Sequence, residues 1–233
     1  MKWLLMALSM LLMPYTLEAQ NNKGALSFGL HIGADYVLLS NIENTFSSGT
    51  NPSFNNSEEK YGITPSASAF IQYRFPVSLI AIESSIKYCQ TRSELTIDVE
   101  TYKLKLNHIT LNIGAKVYPI GGAYAKATIG AGPCLNSSFA IRYEAKCITN
   151  TSKMQVQEHI NEAIKGRTLV RTDLSIGYDF NSGFIVDAHY GKGLTDLIDV
   201  AVNDFGYSEQ RNDSQYIGLN IGYILSKDGF AKR

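Results

Sequence analysis

The chain has 233 residues, with 21 basic and 21 acidic side chains and a formal net charge of zero. This balance gives no footprint for nucleic acid, and no basic tract suggests an anionic surface as partner. Charged residues make up 18% of the chain, while 14 Tyr, 10 Phe and 19 Gly are abundant. Because Tyr and Phe favour strands and Gly favours turns, the composition predicts an all-β protein.

The N-terminus has the pattern of a signal peptide. Lys2 supplies a positive charge, the run over 3–13 is almost entirely apolar, and Ala19 offers a small residue for cleavage. The apolar run is too short to span a bilayer comfortably. We therefore predict a signal peptide over 1–19 and a mature domain over 20–233, with an uncleaved membrane anchor as the alternative.

Eight segments of the mature chain alternate apolar with polar or small residues, which is the pattern of half-buried strands. They cover 25–38, 63–75, 80–88, 108–117, 124–135, 171–180, 184–191 and 216–225. Beyond the signal peptide no apolar stretch approaches the ~20 residues of a membrane helix, so a membrane location requires a barrel. Eight is an even number, as single-chain bacterial barrels require. The sequence predicts an eight-stranded antiparallel up-and-down transmembrane β-barrel.

The connections between these segments alternate in length. Short turns are predicted at Pro76, 119–122 and 181–183, and long loops over 39–60, 90–101, 136–167 and 193–213. Outer-membrane barrels have short periplasmic turns and longer extracellular loops, so this rhythm also predicts an orientation. The third long loop has Val156, Ile160 and Ile164 at helical spacing, which suggests a short helix over 154–165 that contacts a partner or ligand, or simply a mobile loop.

Alternation alone does not say whether the apolar face contacts lipid or fills a core. A soluble lipocalin-like barrel would place the apolar face inside. Two features favour lipid outside. Glycines such as Gly29, Gly177 and Gly218 lie on the polar face, where a narrow barrel needs small inward residues. Aromatic residues of the apolar face, such as Phe75 and Tyr190, collect near the strand ends, as interfacial girdles do.

The polar face carries a balanced set of charges. The predicted interior charge network comprises Asp35, Arg74, Glu83, Lys87, Lys116, Lys126, Arg171, Asp173, Asp179 and Asp187. Charges inside a narrow barrel must be paired, because each unpaired charge is costly in a low dielectric. Side chains fill an eight-stranded barrel. We therefore predict a closed, salt-bridged interior rather than a general porin.

No motif indicates catalysis, a cofactor or a metal. Asp187 and His189 lie two residues apart and could support a nucleophile, as in a lipid-modifying enzyme, but membership of the interior network is the simpler interpretation. No His, Cys or acidic cluster has metal-ligand spacing. Cys134 and Cys147 could form a disulfide in an oxidising compartment, or remain free thiols.

Several short stretches resemble the outer membrane β-barrel family of Bacteroidetes that includes the PorT-like proteins. They are Tyr102-Lys-Leu-Lys-Leu, Lys116-Val-Tyr-Pro119, Gly130-Ala-Gly-Pro133, Tyr190-Gly-Lys-Gly-Leu-Thr-Asp196 and the last strand from Tyr216 to Leu225. The resemblance implies an outer-membrane location and a barrel fold. In that family PorT itself belongs to the type IX secretion and gliding machinery.

These observations lead to a ranked set of functions. The first is a non-enzymatic outer-membrane barrel that contacts lipid and acts through its long loops or within a secretion or envelope assembly. The second is a soluble periplasmic lipocalin-like binder. The third is an outer-membrane enzyme that acts on lipid.

Overall fold

The structure, a computed structural model, describes residues 25–39, 57–76, 78–97, 100–143, 146–147, 158, 161–162, 164–196 and 214–227. The signal peptide predicted over 1–19 lies outside these residues, as do most of the loops predicted over 39–60 and 193–213. In the described part of the chain, no helix is long and apolar enough to cross a membrane.

Ten strands make up almost all of the described chain. In order they are β1 (Ala25–Leu39), β2 (Ser57–Tyr61), β3 (Ile63–Arg74), β4 (Ile80–Ile97), β5 (Glu100–Ile120), β6 (Ala123–Tyr143), β7 (Lys146–Cys147), β8 (Thr168–Asp179), β9 (Phe184–Gly193) and β10 (Ser214–Lys227). Gly62 separates β2 from β3, and both pair with β4, so together they form one barrel strand. The two-residue β7 only extends the edge of β6.

The eight barrel strands close into a ring of antiparallel pairs. Neighbours run from β3 through β1, β10, β9, β8, β6, β5 and β4, and β4 returns to β3. The up-and-down order follows the chain, because each strand pairs with its sequence neighbours and β1 pairs with β10. The predicted eight-stranded antiparallel barrel is confirmed.

Three tight turns connect strands at one end of the barrel. The Phe75 N–H donates to Ile80 O in the first turn, Ile120 pairs with Ala123 across the second, and the Phe180 N–H donates to Phe184 O in the third. Gly183, with φ of 94°, occupies the left-handed region that side chains disfavour, which explains a glycine in that turn. These turns lie where the sequence predicts them, at the same end as the start of β1 and the end of β10.

The opposite end differs from the sequence-based expectation. β4 continues to Ile97 and β5 begins at Glu100, so the long loop predicted over 90–101 is wrong: it is a tight hairpin of continued strands. β6 likewise continues to Tyr143, within the loop predicted over 136–167. The reason is physical. From Gln90 to Glu94 both faces of β4 are polar, so hydrophobic alternation no longer marks the strand.

This continuation builds a small sheet above the barrel, which we call the protruding sheet. It consists of β2, β4 from Gln90, β5 up to Asn107 and β6 from Cys134. Its neighbour β8 begins only at Thr168, which pairs with Pro133. The protruding sheet therefore rises beyond the strands on the other side of the barrel.

Part of the third loop folds back onto the protruding sheet. Asn161, Glu162 and Ile164 are helical, while Val156 and Ile160 of the predicted helix lie outside the described residues. The Ile164 side chain is fully buried, and the Ser137 hydroxyl donates to Asn161 O over 2.9 Å. The C-terminal end of this loop is thus packed against β6.

The apolar face of the barrel points outward. Ile32, Leu174, Ile176 and Leu219 are each more than 60% exposed, in the middle of their strands. The polar and glycine-rich face points inward. A soluble lipocalin-like barrel requires the reverse arrangement, so this geometry excludes that alternative.

Aromatic side chains lie at both ends of the apolar band. Near the short turns they form the contacting pairs Tyr73–Phe75, Tyr178–Phe180 and Phe184–Tyr223, with ring centroids 4.7–5.2 Å apart. Near the loops, the Tyr88 hydroxyl donates to Asn107 over 3.0 Å and the Tyr190 hydroxyl to Gln215 over 3.2 Å. Rings against lipid with hydroxyls turned toward polar groups mark a membrane interface.

Candidate functional site

The barrel interior is filled in layers, and the layer next to the short turns is apolar. It consists of Phe70, Ala81, Tyr118, Tyr124, Ile185 and Ile224, all at most 8% exposed. The alternating pattern of the sequence does not reveal this cluster, because its residues interrupt the polar face or lie beside apolar neighbours. The run Phe184-Ile185-Val186, for example, is apolar on both faces.

Lys116 lies at the centre of the next layer and is completely buried. Its Nζ is 2.9 Å from Glu83 Oε2, 2.9 Å from Gln72 Oε1 and 3.9 Å from Asp179 Oδ2. Glu83 in turn accepts from Lys126 Nζ over 3.0 Å. Two lysines from adjacent strands therefore share one glutamate in the middle of the barrel.

A second group is built around His189 and two aspartates. His189 Nε2 is 3.0 Å from Asp35 Oδ1, and Asp35 Oδ2 is 3.4 Å from Lys87 Nζ. The Asn220 amide donates to Asp187 over 2.8 Å and to His189 Nδ1 over 3.1 Å. This group links β1, β4, β9 and β10 across the barrel.

Arg171 organises the layer nearest the loops. Its guanidinium lies 3.2 Å from Asp173, 3.1 Å from the Cys89 Sγ and over the Tyr216 ring at 4.3 Å from the centroid. The Tyr216 hydroxyl donates to Asp173. Arg171 thus has partners on its edge and on one face.

The structure places all ten residues of the predicted network inside the barrel. Nine of them contribute to the ion pairs and charged hydrogen bonds described above. Arg74 lies apart, with its guanidinium over the Tyr118 ring at 4.4 Å. The Tyr118 hydroxyl itself donates to Asp179 over 2.7 Å, so Arg74 reaches the network through an aromatic ring.

The acid–histidine pair considered for catalysis belongs to this interior. The side chains of His189 and Asp187 are 2% and 0% exposed, with partners on both sides. His31 is stacked on Phe70 at 4.5 Å. Among the described residues, no group of three or more His, Cys, Asp or Glu side chains could hold a metal ion. Cys134 is a free, buried thiol, so the considered disulfide with Cys147 is not formed.

A closed antiparallel barrel with an apolar exterior and an ion-paired interior defines a transmembrane barrel of the bacterial outer-membrane type. The family model of the outer membrane protein beta-barrel domain matches residues 18–199. The chain belongs to this family. The protein is therefore located in the outer membrane, and its apolar face contacts membrane lipid.

The chain is similar to several solved outer-membrane barrels at low sequence identity. The chain is similar to Ail, the attachment invasion locus protein of Yersinia pestis, with 12% identity and a TM-score of 0.44 over 87% of this chain and 99% of Ail. Neisserial surface protein A has 9% identity and a TM-score of 0.45 over 86% and 99%. OprG from Pseudomonas aeruginosa has 9% identity and a TM-score of 0.33 over 87% and 95%. No curated protein sequence matches the chain.

Proposed function

We propose that the protein is a non-enzymatic, closed barrel that acts at the cell surface through the protruding sheet. The observation that carries this proposal is the continuation of β4, β5 and β6 beyond the barrel, above an interior that is filled with paired charges. The protein then functions by binding a partner at the loop side of the barrel, and not by transport through the barrel.

The interior supports closure because its charged side chains are paired with one another. Lys116 and Arg171 are 0% and 5% exposed, although each carries a positive charge. Packing around the glycines is equally tight. A Cβ at Gly218 would overlap Asp35 Oδ1 and the His189 ring. An aqueous path would need several of these buried pairs to separate, and breaking a buried ion pair costs about 3–5 kcal/mol.

The same burial argues against an enzyme that acts on lipid. A lipid substrate would approach from the outer face or the rim, whereas His189 and Asp187 point into the barrel and are nearly inaccessible. Their hydrogen bonds to Asp35 and Asn220 give them a structural role.

The protruding sheet offers a rigid surface for a protein partner. Its strands are held by backbone pairing up to Ile97 and Glu100 on one hairpin and up to Tyr143 on the next strand. Binding to a rigid surface loses less conformational entropy than binding to a loose loop. The resemblance to PorT-like proteins supports a partner within a secretion or envelope assembly of the cell surface.

Shortening the β4–β5 hairpin tests this function. Replacing residues 94–103 by Asn-Gly removes the upper part of the hairpin symmetrically, because Ser93 pairs with Leu104, and Asn-Gly suits a two-residue hairpin turn. We expect the shortened protein to fold and to lose the envelope proteins that cross-link to the full-length barrel in intact cells.

The control for folding is the heat-dependent shift in gel mobility of outer-membrane barrels, which the shortened protein should retain. A second control, Lys103→Gln, changes one side chain of the hairpin and should keep the cross-linked partners. If the shortened, folded barrel captures the same proteins as the full-length barrel, the protruding sheet is not the binding surface.

A further inference from the structure

The outward face of the protruding sheet changes character step by step above the lipid-facing band. Tyr88 ends the apolar part of β4. The next row across β4, β5 and β6 contains the amides Gln90, Asn107 and Asn136, which are cross-strand neighbours. The Gln90 amide donates to Asn107 over 2.8 Å. The apolar band is thus followed directly by a row of side-chain amides.

The row above the amides carries two positive charges side by side. Arg92 pairs directly with Lys105 across β4 and β5, and both side chains are exposed on the outward face. Ser138 of β6 is the next neighbour of Lys105 in the same row. We call Arg92 and Lys105 the cationic pair. Like charges directly opposite each other in a sheet are destabilising unless an anion lies between them.

In the next row, a carboxylate of the chain itself neutralises one of the cations. Glu94 pairs with Lys103 across the same two strands, and their Oε2 and Nζ atoms are 2.6 Å apart. Glu94 is therefore already occupied. Among the described side chains of this face, Arg92, Lys103 and Lys105 are opposed by Glu94 alone, which leaves a local excess of two positive charges.

The height of the cationic pair relative to the membrane follows from the tyrosines. The Tyr88 ring lies in the apolar band, and its hydroxyl donates upward to Asn107. Arg92 lies four residues further along β4, which is roughly 13 Å along the strand and about 10 Å along the membrane normal for a typical strand tilt. This distance places the cationic pair in the headgroup layer of the outer leaflet.

We infer that the cationic pair, together with the amide row, binds the phosphorylated headgroup of an outer-leaflet glycolipid. Arg92 offers a planar, bidentate fork to a phosphate, and Lys105 adds a point charge beside it. Gln90 is buried and holds Asn107 in place through its hydrogen bond. The more accessible amides of Asn107 and Asn136 match the hydroxyl and amide groups that lie between the phosphates and the acyl chains. The surface is continuous with the lipid-facing band, so the acyl chains of the same lipid would lie against Ile86 and Leu111.

This inference is independent of the proposed function. It requires only an outer-membrane barrel with this outward face, and it would stand if the protruding sheet had no protein partner. The positive patch is not visible in the linear sequence. A net charge of zero and the absence of a basic tract conceal the patch, because Arg92 and Lys105 become neighbours only through the hairpin.

Binding of lipid A to the full-length barrel in neutral detergent tests the inference. Fluorescent lipid A that carries its phosphates is titrated into the protein, and fluorescence anisotropy reports binding. A cation near an anionic lipid surface contributes about fivefold to affinity, so Arg92→Gln with Lys105→Gln should weaken binding by roughly 30-fold. Binding to the unmodified barrel should also weaken as salt is raised.

One control variant, one control lipid and one competitor separate the cationic pair from other contributions to lipid binding. Glu94→Gln with Lys103→Gln removes the neighbouring ion pair but leaves the cationic pair and the excess of two positive charges, so it should change affinity by less than about twofold. Lipid A without phosphates should bind the unmodified barrel as weakly as phosphorylated lipid A binds the double variant. Inorganic phosphate alone should not displace the lipid, because it lacks the part that meets the amides and the apolar band.

The heat-dependent gel shift shows that each variant is folded before titration. The inference is overturned if the folded double variant binds phosphorylated lipid A as tightly as the unmodified barrel. Equal affinity for lipid A with and without phosphates would also overturn it. Displacement by inorganic phosphate would do the same, since the cationic pair would then be a site for free anions.

Discussion

Replacing Lys116 by methionine is expected to destabilise the folded barrel by about 3–5 kcal/mol. The change removes the cation that lies between two buried carboxylates, so Asp179 loses its lysine and Glu83 keeps only Lys126. Lys116 is completely buried, and Glu83, Asp179 and Gln72 all lie within 4 Å of its Nζ. Methionine fills a similar volume, so the loss reports the charge rather than a cavity. The measurement is the free energy of unfolding in urea, followed by circular dichroism in micelles.

Two further variants separate the buried charge from charge in general. Lys103→Met removes an exposed lysine that pairs with Glu94, and it should cost at most about 1 kcal/mol. In the double variant Glu83→Gln with Lys116→Met, one charge of each sign is lost, so we expect part of the stability to return. A loss below about 1 kcal/mol for Lys116→Met would show that the interior is wetter than its burial indicates.

Replacing Leu219 by arginine is expected to cost about 2–4 kcal/mol in a lipid bilayer, because it places a charge against hydrocarbon. Leu219 is 64% exposed in the middle of β10, where it lies between Ala34 of β1 and Ala188 of β9. The measurement is the free energy of unfolding of the barrel reconstituted in phosphatidylcholine vesicles.

Ile217→Arg is the matched control for depth in the membrane. Ile217 lies on the same face of β10, but it pairs with Tyr36 and Tyr190, at the level of the loop-side tyrosines. An arginine there reaches the headgroups, so the cost should fall to about 0–1 kcal/mol. Equal costs at both positions would contradict the assignment of this band to lipid.

The sequence predicted the barrel well because lipid and a packed interior demand opposite side chains on alternate positions. Leu219 and Gly218 illustrate this contrast, since one faces lipid and the other lies against Asp35 and His189. The strand ends above the membrane escaped prediction. In β4, Arg92 and Glu94 alternate with the polar residue Ser93, so both faces are polar and no hydrophobic period marks the strand.

The composition of the interior could be predicted, but its pairing could not. Every charged residue of the predicted interior network points inward in the structure. The partners depend on the stagger between strands that are distant in sequence, and on bulges such as the shift between Asn107 and His108. The contact of Lys116 with Asp179 illustrates this, since it joins β5 to β8, which are separated by β6 in the sheet. No local sequence pattern encodes a contact between residues so far apart in the chain.

The most direct test of a closed, ion-paired barrel in the outer membrane is its conductance in a planar lipid bilayer. The refolded full-length protein, shown to be inserted by its heat-dependent gel shift, should give no stable conductance steps above the bare membrane at moderate voltage. Reproducible ohmic steps from the folded barrel would contradict the account, because ions could cross only through the space that Lys116, Glu83 and Arg171 fill.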